Sequence, residues 1–183
     1  RAAIFAAYWS GEQESVTAER IDQPSKRDVE SCEKRLGEII DKCTFDLVPG
    51  ETQSSGSEYL TLTSGEDEMR ICRIWRQRQG DWRNWLDVCF DVDTGELYYL
   101  YLSSECLKNQ SAYADVLPAE LSASFVADYI DGLGEYELIN LDWSGSANDE
   151  ATAIYTVGGS AVVMKISCIY YRSTLVDIKL TCA

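Results

Sequence analysis

The sequence predicts an α+β fold in which a helix followed by a four-stranded antiparallel meander occurs twice, with the helices packed on the apolar sheet faces. Three observations carry this. Alternating apolar runs separated by short turn sequences extend from Tyr59 to Ser103 and again from Tyr136 to Cys182. A run with three- and four-residue apolar spacing precedes each set. Cys72 and Cys89 lie symmetrically about Gly80-Asp81, a pair that suits a two-residue type II′ turn and therefore sets a register. The chain divides into an N-terminal segment (1–24), a first helix and meander (25–103), and a second helix and meander (104–183) that either stands apart or continues the first. With 183 residues, 45% of them hydrophobic, there is enough apolar material for a packed core.

Ala2 to Trp9 is apolar but too short to cross a bilayer. It reads either as the stub of a removed signal or membrane anchor, or as a short helix packing on the domain. Gln13 to Asp22 is polar and reads as loop or frayed helix. Ser25 opens a helix, with Pro24 before it and Asp28 at the capping-box position. Val29, Cys32, Leu36, Ile39, Ile40 and Cys43 form its apolar stripe. Cys32 and Cys43 are three turns, roughly 16 Å, apart and cannot bond to each other. Thr44 to Ser57, with Pro49-Gly50 and Ser54-Ser55-Gly56, reads as loop.

The first meander runs through Tyr59–Thr63, Met69–Gln79, Trp82–Val92 and Glu96–Ser103. Ser64-Gly65-Glu66-Asp67 forms one turn, and Asp93-Thr94-Gly95 forms a three-residue hairpin with Gly95 placed for positive φ. If Gly80 and Asp81 are the loop of the middle hairpin, Cys72 falls opposite Cys89 on a non-hydrogen-bonded pair. Such pairs have Cα atoms about 4.5 Å apart, compatible with a strained cross-strand disulfide. The same register puts Leu60, Leu62, Met69, Ile71, Trp75, Leu86, Val88, Phe90, Tyr98, Leu100 and Leu102 on an apolar face under the first helix. The other face takes Arg70, Cys72, Ile74, Arg76, Trp85, Asp87, Cys89, Asp91, Tyr99 and Tyr101. Arg73 is an exception on the apolar face, assigned to an edge or a bulge.

In the second half, Ser104 to Ala114 reads as helix or irregular chain. Pro118 opens a helix to about Asp131, ended by Gly132 or Gly134. Strands follow at Tyr136–Trp143, Ala151–Val157, Ala161–Tyr171 and Leu175–Cys182. A three-residue loop at 172–174 puts Cys168 opposite Ile178, which leaves Cys182 about 13 Å further along and argues against a Cys168–Cys182 bridge. The repeat is one of architecture, since the halves share no residue-level identity.

A formal charge of −15 excludes nucleic acid as a partner, because phosphate binding relies on clustered Lys and Arg. It also disfavours an anionic membrane surface, leaving a missing N-terminal anchor as the one membrane connection. The chain has no His, which removes the usual general base and the commonest metal ligand. Its seven Cys include no C-x-x-C, so neither a zinc site nor a thioredoxin-like motif is indicated, and no cofactor or metal is expected. Asp91 to Glu96 superficially resembles a calcium loop, but position six would be Glu96 and position twelve Leu102, so a hairpin turn is the better reading. Asp87 and Asp91 lie about 13 Å apart along a strand, too far for a paired-carboxylate hydrolysis. Asp91 is expected to pair with Arg70 across the strands.

The constellation that remains surrounds the middle hairpin. Arg70, Arg73, Arg76, Arg78 and Arg83 crowd into fourteen positions with one acid, Asp81, and three of the five Trp lie between Trp75 and Trp85. The plain reading is a solvated strand edge with Trp75 in the core and Arg76 stacked on Trp85 across the strands. The functional reading makes Arg76, Arg78, Trp82, Arg83 and Trp85, extended by Tyr99 and Tyr101, a binding patch. Its partner would be a protein or a small anionic or aromatic ligand. No catalytic residues are indicated. The functional expectation is a non-enzymatic, extracytoplasmic (secreted or cell-surface) binding or protein-interaction module, tethered to a membrane where an N-terminal anchor precedes it. The alternatives are a carboxylate-dependent hydrolase with a cleft between the halves, or a structural assembly domain.

Overall fold

A computed structural model describes residues 1–11, 15–41, 52–78, 84–103, 136–143, 150–157, 163–171 and 174–182, with side chains described only within the first 103 residues. It contains helices α1 (Ala2–Ser10) and α2 (Lys26–Asp41). The strands are β1 (Thr17–Arg20), β2 (Thr52–Ser64), β3 (Asp67–Arg78), β4 (Asn84–Asp91), β5 (Leu97–Ser103), β6 (Tyr136–Trp143), β7 (Glu150–Val157), β8 (Val163–Tyr171) and β9 (Thr174–Cys182). All pairings are antiparallel, in one sheet of order β1-β2-β3-β4-β5-β9-β8-β7-β6.

This architecture replaces the expected repeat of helix plus four-stranded meander. Among the described residues both helices precede β2, an additional edge strand, β1, occupies the segment read as loop, and β5 pairs directly with β9. The result is one α+β unit built on a single antiparallel sheet. The helix expected from Pro118 to Asp131 lies outside the described residues.

Local sequence explains most elements. Gly11, at φ 82, ends α1, and its N–H reaches the carbonyls of Ala7 and Tyr8. The apolar run of α1 buries Ala2, Ile4 and Phe5. Neither helix is long and apolar enough to cross a membrane. Ser25 caps α2, its Oγ accepting the Asp28 N–H at 3.1 Å. Cys32 and Leu36 of the α2 stripe are buried, while Val29 is exposed. Gly65 (φ 61) sits in the two-residue loop between Ser64 and Asp67, and Gly95 (φ 72) in the β4–β5 turn. Cys168 faces Ile178 as expected, but not through a loop at 172–174: Tyr171 pairs with Thr174, and a register shift at Ile169/Tyr170 restores the pairing.

The departure that matters is in the middle hairpin. Gln77 pairs with Asn84, the register implied by a Gly80-Asp81 loop, but Arg76 pairs with Leu86, so Trp85 is an extra residue in a bulge. From there on every β3–β4 pair slips by one: Cys72 faces Phe90 and Arg73 faces Cys89. A one-residue slip moves a whole strand to the opposite face. Cys72 and Cys89 therefore point to opposite sides of the sheet and are free thiols, not a cross-strand disulfide. Arg76 does not face Trp85. One face now carries Tyr59, Arg70, Cys72, Ile74, Arg76, Val88, Phe90 and Leu100. The other carries Leu62, Ile71, Arg73, Trp75, Asp87, Cys89, Asp91 and Tyr99. Both faces are buried over β2–β5, with Ile74, Val88 and Phe90 on one and Leu62, Ile71 and Cys89 on the other almost fully covered. Strands buried on both sides read as continuous apolar runs, as in Leu97–Leu100, and do not advertise which face is outward.

The helix contacts follow the slipped register. Phe5 of α1 stacks on Tyr98 with ring centroids 5.2 Å apart, and Trp9 meets Tyr99 at 4.3 Å. α2 reaches β3 through Asp28–Arg70 (3.1 Å) and Glu33–Arg76 (3.4 Å). It therefore meets the set of residues that the unbulged register had placed on the outer face.

Candidate functional site

Arg73 becomes the centre of a constellation once the bulge places it beside Asp87. Its Nε donates to Asp87 Oδ1 at 2.9 Å and Nη2 to Oδ2 at 2.6 Å, a two-pronged guanidinium–carboxylate pair. The Asp87 side chain is 5% exposed and that of Arg73 38%, so the carboxylate is sunk in the sheet and the guanidinium forms its lid. The guanidinium carbon lies 5.6 Å from the centroid of the Trp9 ring and 6.0 Å from that of Trp75. Cation–π attraction and the ion pair thus act on the same group. Tyr99 completes the cluster against Trp9.

Backbone geometry holds these side chains in place. Gly56 of β2 lies directly opposite Trp75, and a Cβ at Gly56 would fall 2.2 Å from Trp75 Cζ2. The ring therefore lies across the glycine, a device that stabilises glycine-containing strands. The stretch Ser54-Ser55-Gly56, read from sequence as loop, is strand because an aromatic from the neighbouring strand occupies the glycine's missing side-chain volume.

Arg73 sets the electrostatics of the cluster. The Asp87 hydrogen bonds raise the Arg73 pKa further, keeping it a permanent cation. Burial pushes the Tyr99 hydroxyl up to about 12, helped by Asp87 and opposed by Arg73. The half-buried Trp9, Trp75 and Arg73 present an aromatic and cationic surface.

A second network closes the β4–β5 turn. Asp91 is fully buried; its Oδ1 accepts the N–H groups of Asp93 (2.8 Å) and Thr94 (3.2 Å), and Oδ2 accepts Arg1 Nη1 at 2.6 Å. Arg70 does not pair with Asp91, since Ile71 takes that register position; it binds Asp93 and Asp28. Arg70, and secondarily Arg1, hold the Asp93 carboxyl below its ordinary range. Between α2 and this turn lies an open cleft of about 270 Å³ lined by Lys34, Arg35, Glu38 and Asp93. Arg35 already donates to Gly95 O at 2.9 Å and to Glu38 at 2.8 Å, so the cleft is braced by its own walls.

A third cluster holds sulfur. Cys32, Cys72 and Tyr59 are all buried, and Tyr59 stands directly opposite Cys72. The two thiols and the Tyr59 hydroxyl are close enough to perturb one another's titration. Cys72 lowers the Cys32 pKa, while the Cys72 thiol is pushed up by Cys32 and by burial. Cys89, on the opposite face, is pushed up by burial.

The residues singled out from sequence are distributed as follows. Tyr99 is buried in the Arg73 cluster, and Tyr101 lies on the same face opposite Asp87. Arg76 is on the other face, donating to Glu33 and to the Trp75 carbonyl. Arg78 ends β3 and Trp85 forms the bulge; their side chains, with Trp82 and Arg83 entirely, lie outside the described residues. Sequence reasoning missed Trp9, Arg73 and Asp87 as a unit. The available signal was Arg73 itself, a charged residue out of pattern on an apolar face.

Among the described residues no group of three or more His, Cys, Asp or Glu is placed to hold a metal ion. No protein-family model, curated protein or solved structure matches this chain.

Proposed function

We propose that the protein is a non-enzymatic binding module whose recognition surface centres on Arg73, Trp9 and Trp75, with a protein segment or a small anionic or aromatic ligand as partner. The supporting observation is the half-exposed guanidinium set between two tryptophans and anchored by buried Asp87. Arg and Trp in rigid, partly desolvated settings dominate binding hot spots, because little side-chain entropy remains to be lost. Arg78, Trp82 and Arg83 are neighbours of this surface in the hairpin sequence and are tested beside it. The two buried carboxylates serve as anchors for guanidinium and backbone donors, which favours binding over carboxylate-dependent hydrolysis. The separation of Cys72 and Cys89 to opposite faces withdraws the disulfide argument for an extracytoplasmic location, so the proposal concerns binding alone.

The test compares proteins retained from host extract by the wild-type chain, by Arg73→Met, and by Arg78→Ala/Trp82→Ala/Arg83→Ala, with a thermal midpoint for each. Specific loss of a retained partner by a variant that is still fully folded at the assay temperature supports the reading. Identical partners for all three chains would remove it.

A further inference from the structure

The sulfur cluster is independent of the binding surface and lies on the other side of the sheet. Two thiols from separate elements meet at the contact between α2 and β3, and contacts on both sides hold them together. Asp28, one turn before Cys32, binds Arg70, two residues before Cys72; Glu33, next to Cys32, binds Arg76. Tyr59 pairs with Cys72 across β2–β3, and its hydroxyl perturbs the titration of both thiols. Cys32 is 3% exposed and Cys72 fully buried, so a bulky disulfide reagent has no direct approach, whereas an oxidant little larger than water needs only a small opening. Cys89 is excluded as a partner because the sheet lies between it and Cys72.

We propose that Cys32 and Cys72 are a peroxide-oxidisable dithiol that forms a disulfide tying α2 to β3. Cys32, whose pKa is lowered beside Cys72, is the attacking thiol, and Cys72 the resolving one. Cys32 gives up its proton and its sulfur attacks one oxygen of hydrogen peroxide; the O–O bond breaks, the departing hydroxide takes up that proton and leaves as water, and Cys32 becomes a sulfenic acid. Cys72 then gives up its proton as its sulfur attacks the Cys32 sulfur. The S–S bond forms, the S–O bond breaks, and a second water leaves. Two thiols lose two hydrogens and two electrons, and one peroxide is reduced to two waters.

The experiment uses the full chain, reduced, freed of reductant, and treated with hydrogen peroxide. It is then alkylated in denaturant and digested with trypsin without reduction. The expected product is peptide Asp28–Lys34 joined to Ile71–Arg73, two hydrogens lighter than the sum and split by a reducing agent. Cys32→Ser and, separately, Cys72→Ala should each lose this product while their remaining cysteine of the pair is recovered without a disulfide partner. Recovery of both wild-type peptides alkylated, overoxidation of each without linkage, or a Cys72–Cys89 linkage would each overturn the proposal.

Discussion

Replacing Gly56 with Ala tests the placement of Trp75 and, through it, the arginine site. The new Cβ would lie 2.2 Å from Trp75 Cζ2, 2.4 Å from Cε2 and 2.9 Å from Nε1. Carbon contacts are normally about 3.5–4.0 Å, so the ring must retreat by about 1.3 Å or turn away. Overpacking of this kind costs about 1–3 kcal/mol. Against it stands the intrinsic preference for Ala over Gly within a strand, about 0.5–1 kcal/mol. The net expectation is a loss of about 1 kcal/mol, or about 2–4 °C in thermal midpoint for a chain of this size. Urea unfolding followed by far-ultraviolet circular dichroism should measure it for Gly56→Ala, Trp75→Ala and the double variant. The cycle should yield a coupling of about 1–3 kcal/mol, because with Trp75 removed Gly56→Ala becomes favourable. Were Gly56→Ala to stabilise the protein equally in both backgrounds, the glycine would be an ordinary weak point in the strand and the ring would lie elsewhere.

Arg73→Met keeps an apolar stem of similar reach and removes the guanidinium. It should cost about 1–3 kcal/mol by withdrawing charged hydrogen bonds from buried Asp87; a loss under about 0.5 kcal/mol in the same urea assay would contradict the chelate geometry. Asp93 has a folded pKa below its unfolded value, about 3.9, so its stabilisation is present above that pH and is lost as pH falls through the lower folded value. Thermal midpoints from pH 6 to 2 should therefore fall more steeply below about pH 4 in the wild type than in Asp93→Asn, and parallel curves would refute the pairing. Tyr99, raised to about 12, keeps its proton when the unfolded chain has lost it at about 10. Its stabilisation is complete below the unfolded pKa and is lost between those values, so Tyr99→Phe should lose less stability than the wild type as pH rises from 10 to 12. An identical alkaline decline in both chains would count against the buried hydroxyl.

The candidate site was legible in its residue types and illegible in its partners. Arg and Trp crowd the middle hairpin visibly, and Tyr99 and Tyr101 were assigned correctly to the face that carries Asp87 and Cys89, because β4–β5 keeps the register that the Asp93-Thr94-Gly95 turn implies over those pairs. Arg76 and Arg73 exchanged roles because Trp85 was counted as a paired residue. A bulge leaves no composition signal of its own: Trp85 reads as well in a ladder as beside one. Trp9 joins from the far end of the first hundred residues, a contact that no local pattern encodes.

What the sequence determined by itself was local chemistry. Ser25 capping, the turn at Gly65, positive φ at Gly95, the strand-forming alternation and the absence of a His-based site all follow from side-chain type and short spacing. What only the tertiary structure decided was assignment to faces and the joining of β5 to β9. The physical reason is the two-residue period of a strand: a single bulge reverses every subsequent side chain, and a sheet buried on both faces carries apolar residues either way. Whether Cys72 meets Cys89 or Cys32 rests on that one inserted residue, and packing against α2 resolves it.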